Sequence, residues 1–355
     1  MFKYLFKNCA SVLFLTHFFV TAQVPNYYSS IDFEQESNTI KVQLSNLISD
    51  THQTLIPYTS ESTDTWDIIR ISDLVSETSD DVLLIYGYND DDNEFITDRT
   101  RYIYDTCHTG SCIGLWNREH VFAKSLSYPV LTTSFPGPGT DVHNLRAADS
   151  QKNSQRSNRL FTTGSGNSKT IGNFFYPGDE WKGDVARIIM YMYLRYPGQC
   201  QAINSATGPR SYSNDNDMPN LFLEWNEEDP VSNLELTRND VIYSFQGNRN
   251  PFIDNPYLAT LIWNGPEADD TWSLLSHDSL DTPSILIYPT ISENFIELSG
   301  IKSNHFKVII YNQLGQILSE HFNEKKVDVS GLNPGMYILK VHDFEYTTQA
   351  KFIVK

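Results

Sequence analysis

Trp116-Asn117-Arg118-Glu119-His120 lies inside a stretch, 113–122, that reads as a β-strand, and a second polar knot, Asp141-Val142-His143-Asn144-Leu145, follows it. Between the two, 128–140 is rich in Pro, Gly, Ser and Thr and reads as a loop. From Ala147 to about Asn158 the chain can be helical, which puts Asn153 on a helix nine positions beyond Asn144. One short segment thus carries a carboxylate, an imidazole and a carboxamide, each next to an element able to aim it.

Those three groups suit phosphodiester hydrolysis. The reaction needs an activated water, neutralised charge on the phosphorane and a stabilised leaving oxygen, and one divalent cation can meet the last two needs. Mg2+ takes few protein ligands, all oxygen, and keeps several waters. Glu119 and Asn153 are the expected metal ligands, with Ca2+ or Mn2+ able to take the same oxygens. His120 is the expected general base. Adjacent side chains of a flat strand point to opposite faces, so the strand must end, twist or bulge if Glu119 and His120 serve one centre. Nine residues are about two and a half helical turns, so Asn144 and Asn153 cannot share a helix face. Asn144 is expected to precede the helix and order the loop. Arg156, one turn beyond Asn153, completes the expected catalytic set by holding a phosphate oxygen. Arg118 and Arg187 are further candidates for substrate contact, and His143 reads as a histidine bonded to loop backbone.

The chain of 355 residues has room for one large domain and a small one. Lys3 and Lys7, an apolar run from Val12 to Val20 and a small residue at Ala22 read as a secretory signal peptide over 1–22. The run is too short for a membrane span. Loss of Lys3 and Lys7 with the leader takes the net charge from -18 to -20. Such acidity argues against tight nucleic-acid binding by bulk charge, which needs Lys and Arg on phosphates. It does not exclude an enzyme with a local basic patch and a cation. Cys9 goes with the leader, leaving Cys107, Cys112 and Cys200. Export permits disulfides, and a loop-closing Cys107–Cys112 bridge is favoured. A zinc site beside His108 lacks a second cysteine pair. The acidic run 89–94 reads as a solvated loop, because it lacks the Gly and distal Glu of a calcium-binding EF-hand.

Apolar spacing predicts helices over 38–50, 183–195, 219–225, 237–245 and 256–263, a strand over 81–86 and a polar loop over 248–254. The large domain spans 23–265. A polar, acidic linker is expected over 266–283. From Ser284 onward strands follow at short spacing: 285–288, 295–298, 306–311, 317–322, 327–329, 336–341 and 349–354, with turns at Asn312–Gly315 and Asn333–Gly335. This reads as a small all-β sandwich over 284–355 with no acid/base cluster. The expected fold class is α+β, a mixed helical domain followed by the sandwich.

Asn117-Arg118-Glu119-His120-Val121, Asp141 to Arg146 and Asn153-x-x-Arg156-Ser157-Asn158 together resemble the endonuclease I family, part of the ββα-metal (His-Me finger) group. Gly183 to Arg187, Trp225 to Pro230 and Gln246 to Asp254 are similar to its bacterial extracellular branch. The resemblance covers roughly 25–265. It implies that His120 is the general base and that Glu119 and Asn153 hold Mg2+. It also implies cleavage of DNA, often of RNA, with little sequence preference and 5′-phosphate ends. Val121 to Lys124 departs from the many relatives that have Pro near Ala123. The sandwich, with Val308 to Gly315 and Leu332 to Val341, is similar to the type IX secretion sorting domain. That resemblance implies a Gram-negative source, passage across the outer membrane by the type IX machinery, and proteolytic removal of the domain or attachment to the cell surface. A monomer is expected. Two other readings stand beside the nuclease: a secreted adhesin whose working part is the β domain, and a metal-dependent phosphodiesterase with a substrate other than nucleic acid.

Overall fold

The computed structural model describes residues 24–109, 112–274, 286–299, 301, 305–343 and 347–355; the expected leader, 1–22, lies outside them. The chain divides into two units, Met1–Ser273 and Leu274–Lys355.

In the first unit, α1 (Ser37–Asp50) buries Ile40, Leu44 and Ile48, a repeat of four that makes one apolar face. Helix α2 (Thr65–Ser72) starts at a capping box in which Asp64 accepts from the Asp67 backbone and Asp67 from the Asp64 backbone. Strand β1 (Asp81–Leu83) pairs antiparallel with β2 (Thr100–Tyr102). Strand β3 (Trp116–His120) pairs antiparallel with β4 (Leu145–Asp149), with Glu119 opposite Arg146 and His120 opposite Leu145. Helix α3 (Ser150–Arg156) follows β4 at once, its first turn capped by the Asp149 carboxylate, which accepts from Gln151 and Lys152 N–H.

The helix expected from Ala147 therefore starts at Ser150, and 145–149 is strand. Leu145 and Ala147 share a core with Trp116, Val142, Ile68 and Val82. Pairing with β3 and burial of every β4 residue override the helical leaning of two alanines.

The hairpin of β5 (Lys169–Ile171) and β6 (Phe174–Tyr176) turns at Gly172, φ 59°. Helix α4 (Lys182–Arg195) is buried from Gly183 to Leu194 and runs through the middle of the unit. It packs against α1, α5 (Asn220–Glu228) and the short α7 (Pro251–Asp254). Helix α6 (Asn233–Gln246) opens with a Ser232/Glu235 capping box and closes at left-handed Gly247. The loop expected over 248–254 contains α7, started by Asn250, whose side chain caps Phe252 N–H. Helix α8 (Tyr257–Trp263) ends the helical part.

The first part of the expected linker, 266–273, is not linker. Ala268 and Trp272 are buried, Trp272 packs on Tyr28 at 4.6 Å between ring centres, and Asp270 accepts from the Asn255 side chain. Its acidic composition serves these turns; 275–283 lie outside the described residues. Cys107 and Cys112 form a disulfide, and Cys200 is buried and free.

The second unit holds β7 (Leu286–Tyr288), β8 (Ile291–Ser292), β9 (Phe295–Ser299), β10 (Phe306–Tyr311), β11 (Ile317–Phe322), β12 (Lys326–Asp328), β13 (Gly335–Asp343) and β14 (Thr347–Val354). One sheet has the order β11-β10-β13-β14-β8 and the other β12-β9-β7. Ile296 and Leu298 of one sheet share a core with Val308, Ile310, Leu339, Val341 and Phe352 of the other. Among the described residues no helix is long and apolar enough to cross a membrane.

Candidate active site

Strand β3 ends at His120. The next residue, Val121, still donates its N–H to Asn144 O in register with that pairing, and the strand stops where two adjacent side chains turn to one place. Glu119 and His120 then line the same cleft, of about 440 Å3, with Tyr58, Arg118, Lys124 and Asn153. Asn144 makes this turn rigid. Its Oδ1 accepts from Phe122 N–H at 2.7 Å and its Nδ2 donates to Phe122 O at 3.2 Å. It sits at the end of a short turn of helix before β4, not directly before α3.

His120 Nε2 is 2.8 Å from the Gly139 carbonyl. A carbonyl only accepts, so Nε2 carries the hydrogen and Nδ1 keeps its lone pair. The imidazole also stacks on Tyr58, 5.6 Å between ring centres. Burial pushes its pKa down to about 3, against the Gly139 bond, and the charges of Lys124, Arg118 and Arg156 act in the same direction as burial. The ring is neutral at ordinary pH.

Glu119 is buried, and its Oε1 accepts from Tyr86 Oη–H at 3.1 Å. Arg156 Nη1 stands 3.3 Å from the same oxygen. Burial raises the carboxyl to about 7; Arg156, Tyr86 and the His120 N–H oppose that rise. Asn153 donates Nδ2 to Asn117 Oδ1 at 2.8 Å. Its amide donor is spoken for, which identifies Oδ1 as the end available to a ligand. Among the described residues no three His, Cys, Asp or Glu cluster to hold a metal. One carboxylate and one oriented carboxamide fit a hard cation that keeps most of its waters.

Residues 36–257 match the profile of a family described as Endonuclease I. The chain belongs to that family. Residues 286–355 match a secretion system C-terminal sorting domain. This endonuclease I chain is 37% identical over 254 residues to a protein named extracellular ribonuclease of Bacillus subtilis, covering 68% of this chain and 80% of that one. Over 165 residues it is 43% identical to an extracellular ribonuclease of Bacillus amyloliquefaciens, covering 43% and 56%. It is 29% identical over 126 residues to an Endonuclease-1 of Buchnera aphidicola, covering 32% and 46%. The protein is a secreted nuclease, and so a hydrolase.

Within this nuclease two expectations need correction. Arg156 is fully buried. Its guanidinium donates to the carbonyls of His120, Val121 and Ser157 at 3.1, 2.6 and 3.1 Å, so no face is open to a substrate phosphate. Its work is internal: it ties the end of β3 to α3 and sits beside Glu119. Arg187 is also fully buried, bound through Nε and Nη2 to the two Glu235 oxygens at 2.6 and 2.9 Å. It does not line the cleft. Asp184, on the same helix, pairs with Arg146 at 2.6 Å.

Arg118 does line the cleft, clamped between the Tyr58 and Trp66 rings at 3.5 and 4.1 Å from their centres. It donates to Thr65 Oγ1 at 2.8 Å and to Tyr58 O. His143 Nε2 meets Asn248 O at 3.2 Å inside the protein, outside the residues that line the cleft. Sequence reading missed Lys124, an exposed cation four residues past His120, and Asn117, the partner of Asn153. It also missed Tyr58 and Tyr86, which come from segments far away in sequence.

Proposed function

We propose that this endonuclease I family member is a largely sequence-nonspecific endonuclease that hydrolyses phosphodiester bonds in DNA and RNA and leaves 5′-phosphate ends. The observation that carries this is the meeting in one cleft of Glu119, Asn153 and a His120 whose Nδ1 is free of the hydrogen. The succession β3, β4, α3 around these three supports a ββα-metal finger. The relatives named extracellular ribonuclease support RNA as a substrate.

Glu119 and Asn153 would hold Mg2+, or Mn2+ or Ca2+ on the same oxygens. When bound, the ion neutralises charge at the scissile phosphate and stabilises the departing oxygen. His120 Nδ1 accepts the proton of the attacking water. The Gly139 carbonyl and the Tyr58 ring hold the imidazole still while it does so. Arg118 and Lys124 draw the backbone phosphates in, and such contacts position a polynucleotide without reading its bases. In an acidic chain this local pair of cations matters more than net charge.

The second unit supplies the export signal, a route we assign to the type IX machinery of a Gram-negative bacterium, with 1–22 as leader and the nuclease acting as a monomer. The test uses supercoiled plasmid and a long RNA, each with Mg2+ and with EDTA, followed by end analysis. Cleavage of both in Mg2+ alone, with 5′-phosphates, is expected. Undiminished cleavage in EDTA, or full activity in His120→Ala, would overturn the reading.

A further inference from the structure

Tyr86 is a fully buried tyrosine with a left-handed backbone, φ 74°. Bulky residues other than glycine rarely adopt that region. The conformation is held from every side. Ile85 N–H donates to Ala147 O of β4 at 2.8 Å, and Gly87 N–H to Leu84 O at 3.0 Å. Ser168 Oγ donates to Tyr86 O at 2.6 Å, and Trp181 Nε1 to Gly87 O at 2.8 Å. The ring packs edge-on against Phe175, 5.0 Å between centres. Strained, over-determined backbone of this kind is a cue to look for what the side chain serves. Here the phenol ends on Glu119 Oε1, 3.1 Å away.

We infer that Tyr86 is a positioning residue for the metal-ligand carboxylate. The inference rests on the reading that Glu119 holds the cation. Tyr86 and Arg156 both approach Oε1, from the chain before β3 and from α3 after β4. A hydrogen bond from Tyr86 and the Arg156 charge on one oxygen fix the rotation of the carboxylate and leave its other oxygen unclaimed by either. A ligand held this way is pre-oriented, so little side-chain freedom is lost when a cation binds. Partners behind metal ligands of this kind typically change affinity by about 10–100-fold when removed.

The test is direct Mn2+ binding to the full chain, followed by electron paramagnetic resonance without nucleic acid. Tyr86→Phe keeps the ring and its packing and removes only the hydroxyl. Weakening of Mn2+ binding by about 10-fold or more is expected, with a matching rise in half-saturating Mg2+ and a kcat at saturating Mg2+ within about threefold of wild type. Tyr191→Phe is the control. It removes another buried phenol that donates to a carboxylate, Asp141 at 2.8 Å, and should leave Mn2+ affinity unchanged. Wild-type affinity in a folded Tyr86→Phe protein, or equal weakening in Tyr191→Phe, overturns the inference alone. Wild-type affinity in Glu119→Gln overturns the ligand reading, and this inference with it.

Discussion

His120 Nε2 and the Gly139 carbonyl oxygen stand 2.8 Å apart, joining the end of β3 to the far end of the loop that follows it. This bond selects which imidazole nitrogen can take a proton. Nucleases that use a histidine base need that nitrogen aimed at the water, and a loop carbonyl is a cheap way to aim it.

Removing the base should cost rate and spare binding. His120→Ala is expected to lower kcat by about 10²–10⁴-fold while Mn2+ binding stays within a few fold of wild type. Gly139→Ala probes the same bond from the other side. A Cβ there would lie 2.1 Å from the Thr132 carbonyl oxygen, so the loop must move. Its kcat should fall with Mn2+ affinity retained. If Gly139→Ala is as active as wild type, the carbonyl does not set the tautomer.

Asn153 makes a separate, additive prediction about the metal. Asn153→Ala removes the oxygen ligand, and Asn117→Ala removes only the group that orients it, 2.8 Å from Nδ2. Half-saturating Mg2+ should rise strongly in Asn153→Ala and by about tenfold in Asn117→Ala. Titration of plasmid cleavage against Mg2+ measures both. Equal Mg2+ dependence in wild type and Asn153→Ala would remove Asn153 from the ligand set.

How much of this was legible in the chain depends on distance. Glu119 and His120 are adjacent, so their chemistry is written in one dipeptide. The C-terminal strands are legible because they alternate: Ile296 and Leu298 are buried while Phe295, Glu297 and Ser299 are exposed. The strand Leu145–Asp149 is not legible, because Ala147-Ala148 reads as the start of a helix until β3 pairs with it and Asp73 and Asp184 pin Arg146. Arg156 misled for a different reason. Helical spacing placed it near Asn153 correctly but could not say which way it points, and it points inward. Tyr86 carries no local signal at all; its meaning appears only when the fold brings it to Glu119.

Arg156 and Lys124 should separate cleanly as structural and substrate-facing cations. Arg156→Met strips a buried carboxylate and three carbonyls of their partner. Loss of one member of a buried pair typically destabilises by about 3–5 kcal/mol, so its urea midpoint should drop sharply. Lys124→Ala touches an exposed side chain on the cleft. Its midpoint should stay put, while kcat/KM falls severalfold and becomes less sensitive to salt. A stable Arg156→Met protein with a raised KM would restore the phosphate-clamp role to that residue.

His143 gives a prediction about acid. Burial pushes its pKa down to about 4 from an ordinary value of 6.5, despite opposing pulls from Asp141 and the Asn248 carbonyl. The folded state holds the ring neutral, whereas the unfolded chain takes up its proton near 6.5. The group's contribution to stability is therefore complete above pH 6.5 and is lost as the pH falls toward 4. Between pH 7.5 and pH 5 its share amounts to about 2 kcal/mol by linkage. His120 and His52, also lowered by burial, add to the same slope. His143→Gln should weaken the protein at pH 7.5 through lost packing against Tyr191, 4.5 Å between ring centres, yet flatten its acid dependence by about that share. Urea midpoints at several pH values measure both effects. An unchanged slope in the variant would show that His143 is protonated in the folded protein, and that the Asp141 carboxylate outweighs burial.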